Sequence, residues 1–160
     1  MTNNKPNNLN TVVYFIVCLL TMTCFNLYFT NSIIHNIFIS TENYKFIDIV
    51  YVQNTGAAFS SFQHSTIMLI VLSIIAILMI LYELFKIRNK YSVPMHFFCA
   101  MLVSGILCNT YERIAYGYVR DFISFKSFEF PVFNISDILI NVGVIAIMIL
   151  IITKNYKKNG

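Results

Sequence analysis

The feature that most constrains this chain is a set of four apolar stretches, each long enough to cross a lipid bilayer as a helix of about 20 residues. Hydrophobic residues make up 58% of the 160-residue chain and charged residues only 11%. An ordinary soluble domain has roughly 25% charged residues, so much of this surface must face lipid. We predict an all-α membrane protein, a four-transmembrane-helix bundle that forms one membrane domain over residues 1–160. The predicted spans cover about residues 11–29, 65–82, 93–111 and 133–152.

The first stretch is interpreted as a permanent anchor and not as a cleaved signal peptide. A single lysine, Lys5, precedes it, and it continues into the sequence Asn-Leu-Tyr-Phe-Thr at residues 26–30. A cleaved signal peptide ends in a small-residue cleavage site instead.

Lysine and arginine are distributed unequally between the two predicted membrane faces. With an even number of spans, both termini lie on the side of the connection between the second and third helices. That side holds seven of the eleven basic residues and one acid, Glu83; the other side holds four basic and six acidic residues. The positive-inside rule therefore places both termini in the cytoplasm. The seven basic residues are Lys5, Lys86, Arg88, Lys90, Lys154, Lys157 and Lys158.

The two outer connections are long enough to carry structure of their own. The first, from about Thr30 to His64, contains a run at residues 46–52 whose β-branched and aromatic side chains predict a short strand. We therefore expect a small extracytoplasmic β-containing region between helices one and two. The second, from about Glu112 to Val132, carries aromatic rings that suit the headgroup level of a bilayer. These rings are Tyr116, Tyr118, Phe122, Phe125, Phe128 and Phe130.

Several classes of ligand are not expected. The net charge of +4 comes without a basic cluster interleaved with aromatics, so nucleic acid is not a predicted partner. The four cysteines and the histidines His35, His64 and His96 lack the spacing of a metal site. We expect no metal, no cofactor and a monomeric protein.

Asp137, near the start of the fourth span, needs a physical explanation. Asn134 is a candidate N-cap, which puts Asp137 at the third helical position, where the helix dipole favours a carboxylate. Asn134, Asp137 and Asn141 are also spaced by three and four, so they form a polar stripe that continues into the membrane. Such stripes usually face the bundle interior and mark a functional site. Spacing alone leaves both interpretations open.

Asp121 lies sixteen residues before Asp137. One explanation for it is a surface ion pair with Arg113 or Arg120, which contributes little stability. The third helix, however, carries a second stripe of polar or small residues at intervals of four. If the two stripes face each other, the two aspartates meet at the rim of the bundle. The second stripe consists of Gly105, Asn109 and Arg113.

These elements together resemble a known family. Residues 54–60 read Asn-Thr-Gly-Ala-Ala-Phe-Ser, and their small side chains permit close approach by another chain, although ordinary helix packing also explains them. With Asn109 to Arg113, Tyr-Gly-Tyr-Val-Arg-Asp-Phe-Ile at 116–123 and Phe-Asn-Ile-Ser-Asp at 133–137, they occur in the order seen in lipoprotein signal peptidase (signal peptidase II). The resemblance to this bacterial intramembrane aspartic protease covers nearly the whole chain.

The resemblance implies a function. The family cleaves the signal peptide from prolipoproteins just before a diacylglyceryl-modified cysteine, near the outer face of the bacterial cytoplasmic (inner) membrane. Asp121 and Asp137 match its catalytic pair, in which one carboxyl holds a proton while the other activates water. The expected partners are lipidated prolipoproteins and membrane lipids. The positions that match residues shaping the site or holding the substrate backbone are Asn54, Gly56, Asn109, Arg113 and Asn134.

The chain departs from the family pattern at supporting positions. Helix three usually reads Gly-Asn-x-x-Asp-Arg, whereas Cys108 and Glu112 stand here. The end of helix one usually carries an Asp-Gln pair followed by a lysine, and the nearest match here is Asn26. These departures motivate an alternative function, a divergent paralogue that binds lipopeptides without cutting them. A small pore or transport subunit with acidic ion ligands is a third possibility.

Overall fold

The computed structural model describes residues 8–37, 45–56, 65–86 and 90–157. Within these ranges, four helices are long and apolar enough to cross a membrane, as predicted. Predicted features at Lys5, His64, Arg88, Lys158 and residues 57–60 lie outside the described residues. The elements are α1 (Asn8–Ile37), β1 (Ile47–Asn54), α2 (Thr66–Lys86), α3 (Val93–Tyr116), β2 (Val119–Phe125) and α4 (Ile135–Ile152).

Helix α3 lies at the centre of the bundle and packs against α1, α2 and α4. In its most apolar window 56% of residues are buried, against 11% in each of the other three helices. The outer helices therefore leave most of their apolar side chains exposed, which suits lipid as their solvent. Because lipid tails are as apolar as these side chains, close packing and interhelical hydrogen bonds hold such a bundle together.

Close packing is tightest between α3 and α4. A Cβ atom on Gly105 would lie 2.6 Å from the carbonyl oxygen of Ser136 and 2.8 Å from Cγ1 of Ile140. At Gly143, about two turns beyond Ser136 on α4, a Cβ atom would lie 3.0 Å from Cβ of Leu102. Glycine lets the two backbones touch at both points. The contact brings the polar stripes of the two helices together.

Helices α1 and α3 are longer than their predicted spans. α1 continues to Ile37, so the first outer connection begins later than the predicted Thr30. The extension is held by polar contacts, in which Thr30 donates to Asn26 (3.3 Å) and Asn31 accepts from Arg120 (2.9 Å). α3 continues to Tyr116 and stops at Gly117, whose φ of 83° turns the chain into β2.

The predicted strand is confirmed as β1, but its partner β2 was not predicted. Within the described residues the two strands form one antiparallel pair, with Asn54 opposite Val119 and Val52 opposite Asp121. Phe133, just before α4, forms a bridge with Ile123 through N–H···O contacts of 2.9 and 3.1 Å. This bridge occupies Phe133, so α4 begins at Ile135, two residues later than the predicted span. The sheet and the start of α4 therefore meet.

Candidate active site

Asp121 is buried on β2, with 2% of its surface exposed. Its Oδ2 accepts from the side-chain amide of Asn54 and its Oδ1 from that of Asn134, both at 2.8 Å. The explanation as a surface ion pair is wrong, because Arg120 pairs with Glu112 and Arg113 donates to backbone carbonyls. The side chain is therefore a buried carboxyl group fixed by amide donors on both of its oxygens, and not a charge exposed to solvent.

Asp137 combines the two roles that the sequence left open. Its backbone N–H donates to Oδ1 of Asn134, and its own Oδ2 accepts from the backbone N–H of Asn134, each at 3.0 Å, which completes a capping box. Its other oxygen accepts from the side-chain amide of Asn109 at 2.9 Å. The residue therefore caps α4 and also faces α3.

Asn134 lies behind both carboxylates and is almost fully buried. Besides its bonds to Asp121 and Asp137, its side-chain amide donates to Oδ1 of Asn109 at 3.2 Å. Two amides, from Asn109 and Asn134, thus connect the aspartates from α4 and β2. The predicted convergence of the two polar stripes is observed.

Both aspartates line a cavity of about 640 Å³ that residues from β1, α3, β2 and α4 enclose. Of the seven residues predicted for the site, six are on its wall, and Asn134 lies behind them. Asn141 also lines it and donates to the carbonyl oxygen of Asp137 at 2.9 Å. An apolar wall is formed by Phe130, Pro131, Val132, Phe133 and Ile140.

Arg113 joins the segment after β1 to α3. Its Nη2 donates to the carbonyl oxygen of Gly56 at 2.8 Å and its Nη1 to that of Asn109 at 3.3 Å. The backbone N–H of Gly56 donates to Oδ1 of Asn54 at 3.0 Å, so the turn after β1 is fixed. Among the described residues, Nε of Arg113 is buried without a hydrogen-bond partner.

The environment of Asp121 favours its protonated form. Burial raises the pKa of its carboxyl to about 7, and the negative charge of Asp137 acts in the same direction. The amides of Asn54 and Asn134 and the charge of Arg113 act in the opposite direction. Near neutral pH the pair therefore holds one proton, because two adjacent carboxylates do not both ionise cheaply.

The family follows from a comparison of the whole chain with known proteins. A family model described as signal peptidase (SPase) II matches residues 10–153. The chain belongs to the signal peptidase II family. It is therefore an aspartic protease and a multi-pass protein of the bacterial inner membrane.

Two relatives and one solved structure support this membership. Proteins named lipoprotein signal peptidase from Clostridium acetobutylicum and Clostridium novyi are 36% and 38% identical over 119 and 111 residues. These alignments cover 72% and 68% of this chain, and 77% and 74% of the relatives. A solved bacterial membrane enzyme is 26% identical, with a TM-score of 0.76, and the match covers 91% of this chain and 93% of that one.

The departures from the signal peptidase II pattern have defined contacts. Asn26 is 1% exposed and donates to the hydroxyl of Ser136 at 2.8 Å, which gives a neutral polar contact between α1 and the first turn of α4. Glu112 binds the guanidinium of Arg120, and Cys108 is buried against α1. Neither Ser136 nor Arg120 was predicted as a supporting residue of the site, although both lie inside the two motifs that carry the aspartates. Arg120 was expected only as a candidate surface partner of Asp121.

The chemistry of this signal peptidase II site rests on carboxylates and amides. In the part of the chain that the structure describes, no three side chains of the His, Cys, Asp or Glu type come together as a metal-binding group. The expectation that no metal or cofactor takes part stays a prediction.

Proposed function

We propose that this signal peptidase II removes the signal peptide from diacylglyceryl-modified prolipoproteins, with Asp121 and Asp137 as the catalytic pair. The observation that carries the proposal is the convergence of these two buried carboxylates on one cavity, with Asn134 bonded to both. The names of the clostridial relatives support the substrate class. The complete pair favours a protease over a paralogue that binds lipopeptides without cutting them.

When the pair holds a single proton, one carboxyl group can act as the general base and the other as the general acid. The charged carboxylate takes a proton from water as the water oxygen attacks the scissile carbonyl carbon, while the protonated carboxyl donates to the carbonyl oxygen. Collapse of the tetrahedral intermediate breaks the C–N bond, and a proton passes to the amine of the lipidated cysteine. The products are the signal peptide with a carboxylate end and the free amine. Because the two groups titrate as a pair, neither aspartate is permanently the base.

The remaining site residues hold the substrate in this proposal. Nε of Arg113, which lacks a partner among the described residues, is available to a substrate carbonyl. The backbone at Gly56 and the amides of Asn54 and Asn109 lie on the same cavity wall and offer further contacts to an extended peptide. Asn134 acts through the aspartates, as a positioning residue.

The orientation of the protein is part of the proposal. We place both termini in the cytoplasm and the catalytic pair near the outer membrane face, because seven of the eleven basic residues lie on the opposite side. The ion pairs of the outer side support this orientation, because the positive charges of Arg120 and Lys126 are neutralised there by Glu112 and Asp48. A C-terminal green fluorescent protein fusion should fluoresce, and a C-terminal alkaline phosphatase fusion should be inactive; the reverse result overturns the orientation.

The catalytic proposal is tested on the full chain reconstituted in liposomes with a diacylated peptide that carries a cleavage sequence. Asp121→Asn and Asp137→Asn should each lower kcat on the order of 10²–10⁴-fold, the usual contribution of general acid–base groups. Asp48→Asn is the matched control, because Asp48 is a half-exposed carboxylate paired with Lys126 outside the cavity. Normal cleavage by either dyad variant rules out the mechanism. Binding without turnover by the unmodified chain supports the non-catalytic paralogue instead.

A further inference from the structure

The buried ion pair between Glu112 and Arg120 has no part in the chemistry described so far. The side chains are only 10% (Arg120) and 5% (Glu112) exposed. Nε of Arg120 donates to both carboxylate oxygens, at 3.0 and 3.1 Å, and Nη2 donates to Oε1. The backbone N–H of Arg120 also donates to Oε2 at 2.8 Å. Glu112 on α3 therefore holds both the side chain and the main chain of one residue on β2.

Arg120 is further fixed by two neighbours. Its Nη2 donates to Oδ1 of Asn31 on α1 at 2.9 Å, and its guanidinium carbon lies 4.6 Å from the ring centroid of Tyr116. A buried ion pair adds little net stability compared with well-packed apolar side chains, because both charges must be removed from water. The ion pair does fix the relative orientation of the two side chains, because a forked guanidinium and a carboxylate fit each other in a defined geometry. The pair is thus suited to fix a position.

The position that it fixes is that of Asp121, the next residue along β2. Side chains alternate across a strand, so Arg120 is anchored towards α3 while Asp121 faces the opposite way, towards Asn54 and Asn134. The backbone N–H of Arg120, which donates to the carboxylate of Glu112, lies one residue from the catalytic carboxyl. Movement of this anchor therefore moves the carboxyl.

Helix α3 contributes to the placement of both catalytic aspartates. Asn109 binds Asp137 at 2.9 Å, and Glu112, three residues further along the same helix, binds the residue before Asp121. Residues three apart lie on neighbouring positions of one helix face. We infer that the Glu112–Arg120 pair is a positioning device that sets Asp121 at its working distance from Asp137. This inference rests on the proposed function.

The test compares Arg120→Lys, Glu112→Gln and Glu112→Asp in the reconstituted full chain. Lysine keeps the charge but loses the fork, and aspartate keeps the charge but is one methylene shorter. Because misplacement of a reacting group by about 1 Å can cost 10²-fold, kcat should fall on the order of 10- to 100-fold while KM for the diacylated peptide changes little. Lys126→Gln is the matched control, since it breaks the exposed ion pair with Asp48 next to the same strand.

The pH–rate profile provides a second measurement, because loss of a purely structural contact would leave the shape of this profile unchanged. The charged groups that act on Asp121 are Asp137 from α4 and Arg113 from α3, and burial is the main cause of its raised pKa. A released strand gives this carboxyl more access to water, which lowers its pKa. The alkaline limb of the pH–rate profile should therefore move to lower pH in Arg120→Lys.

A double variant separates positioning from stability. Glu112→Gln with Arg120→Gln removes both buried charges, so thermal stability should recover relative to the single variants while kcat stays low. Recovery of kcat together with stability shows that the pair is merely structural. Unchanged kcat and pH profile in all single variants, with Asp121→Asn inactive, overturns the positioning role alone. Cleavage by Asp121→Asn overturns the proposed function instead.

Discussion

Asp121 and Asp137 accept hydrogen bonds from the same residue, Asn134, whose side-chain amide donates to the first at 2.8 Å and whose backbone N–H donates to the second at 3.0 Å. Asn134 is also the N-cap of α4. One residue, through its side chain and its backbone N–H, therefore fixes both the start of the helix and the placement of the two carboxylates. This arrangement makes the capping function and the catalytic function separable by mutation.

Asn134→Ser should keep the N-cap of α4 and lose the bridge between the aspartates, which is the hydrogen bond from the side-chain amide of Asn134 to Asp121. A serine hydroxyl accepts the N–H of Asp137 as asparagine does, but it has no amide for Asp121, whereas Asn134→Ala loses both contacts. Both variants should lower kcat on the order of tenfold or more, the effect of losing a hydrogen bond to a charged group. Only the alanine variant should also lose about 0.5–2 kcal/mol of stability. Cleavage assays and thermal unfolding in detergent measure the two effects; full activity of Asn134→Ser contradicts the bridge.

Activity should fall as pH rises through the pKa of Asp121, which burial raises to about 7. Above that pH the pair loses the proton that its acid partner must donate. Asn54 donates to the charged form of Asp121, so Asn54→Leu should raise this pKa further and move the alkaline limb to higher pH, by about one unit. The pH dependence of kcat/KM measures the shift, and Asp48→Asn should leave the limb in place. A shift to lower pH in Asn54→Leu disproves the assignment.

Because the pKa of Asp121 is raised in the folded state, the folded protein should become less stable as the pH rises. The unfolded chain releases this proton near the ordinary value of 3.8, but the folded chain keeps it until about 7. Between these values the folded state binds more protons, so its stability falls as pH rises, by a few kcal/mol at most, on the order given by linkage. Asp121→Asn cannot titrate. Its melting temperature relative to that of the unmodified chain should therefore rise from pH 4 to pH 8, and a constant difference contradicts the prediction.

Much of the bundle was predictable because its elements are specified locally. Apolar length alone located the four spans, and β-branched residues located β1. The cap and the stripe around Asp137 were also visible, because helical spacing is regular. These features depend on residues that are neighbours in the sequence.

The parts that were missed depend on contacts between distant segments. Strand β2 contains two adjacent charged residues, Arg120 and Asp121, both buried on opposite faces of the strand. Charged residues in a short run usually indicate an exposed loop, so the local sequence does not distinguish this buried strand from a loop. The extension of α1 likewise depends in part on the hydrogen bond that Arg120 donates to Asn31, and these two residues are 89 positions apart in the sequence. No local pattern records either contact.

Gly105 should be the more sensitive of the two glycines at which α3 touches α4. In Gly105→Ala the new Cβ would lie 2.6 Å from the backbone oxygen of Ser136, which cannot move without shifting the first turn of α4. The helices must separate there, and the contact between Asn109 and Asp137 lengthens. Overpacking of this kind typically destabilises by about 1–3 kcal/mol, and kcat should fall as well.

Gly143→Ala is the matched control for this prediction. Its Cβ would lie 3.0–3.2 Å from Leu102, a milder overlap, two turns further from the start of α4. We expect this variant to lose some thermal stability and to keep a kcat close to that of the unmodified chain. The comparison of kcat at equal folded fraction therefore separates helix packing near Asp137 from packing elsewhere. Equal losses of kcat in both variants would show that separation of the helices, wherever it occurs, reaches the carboxylates.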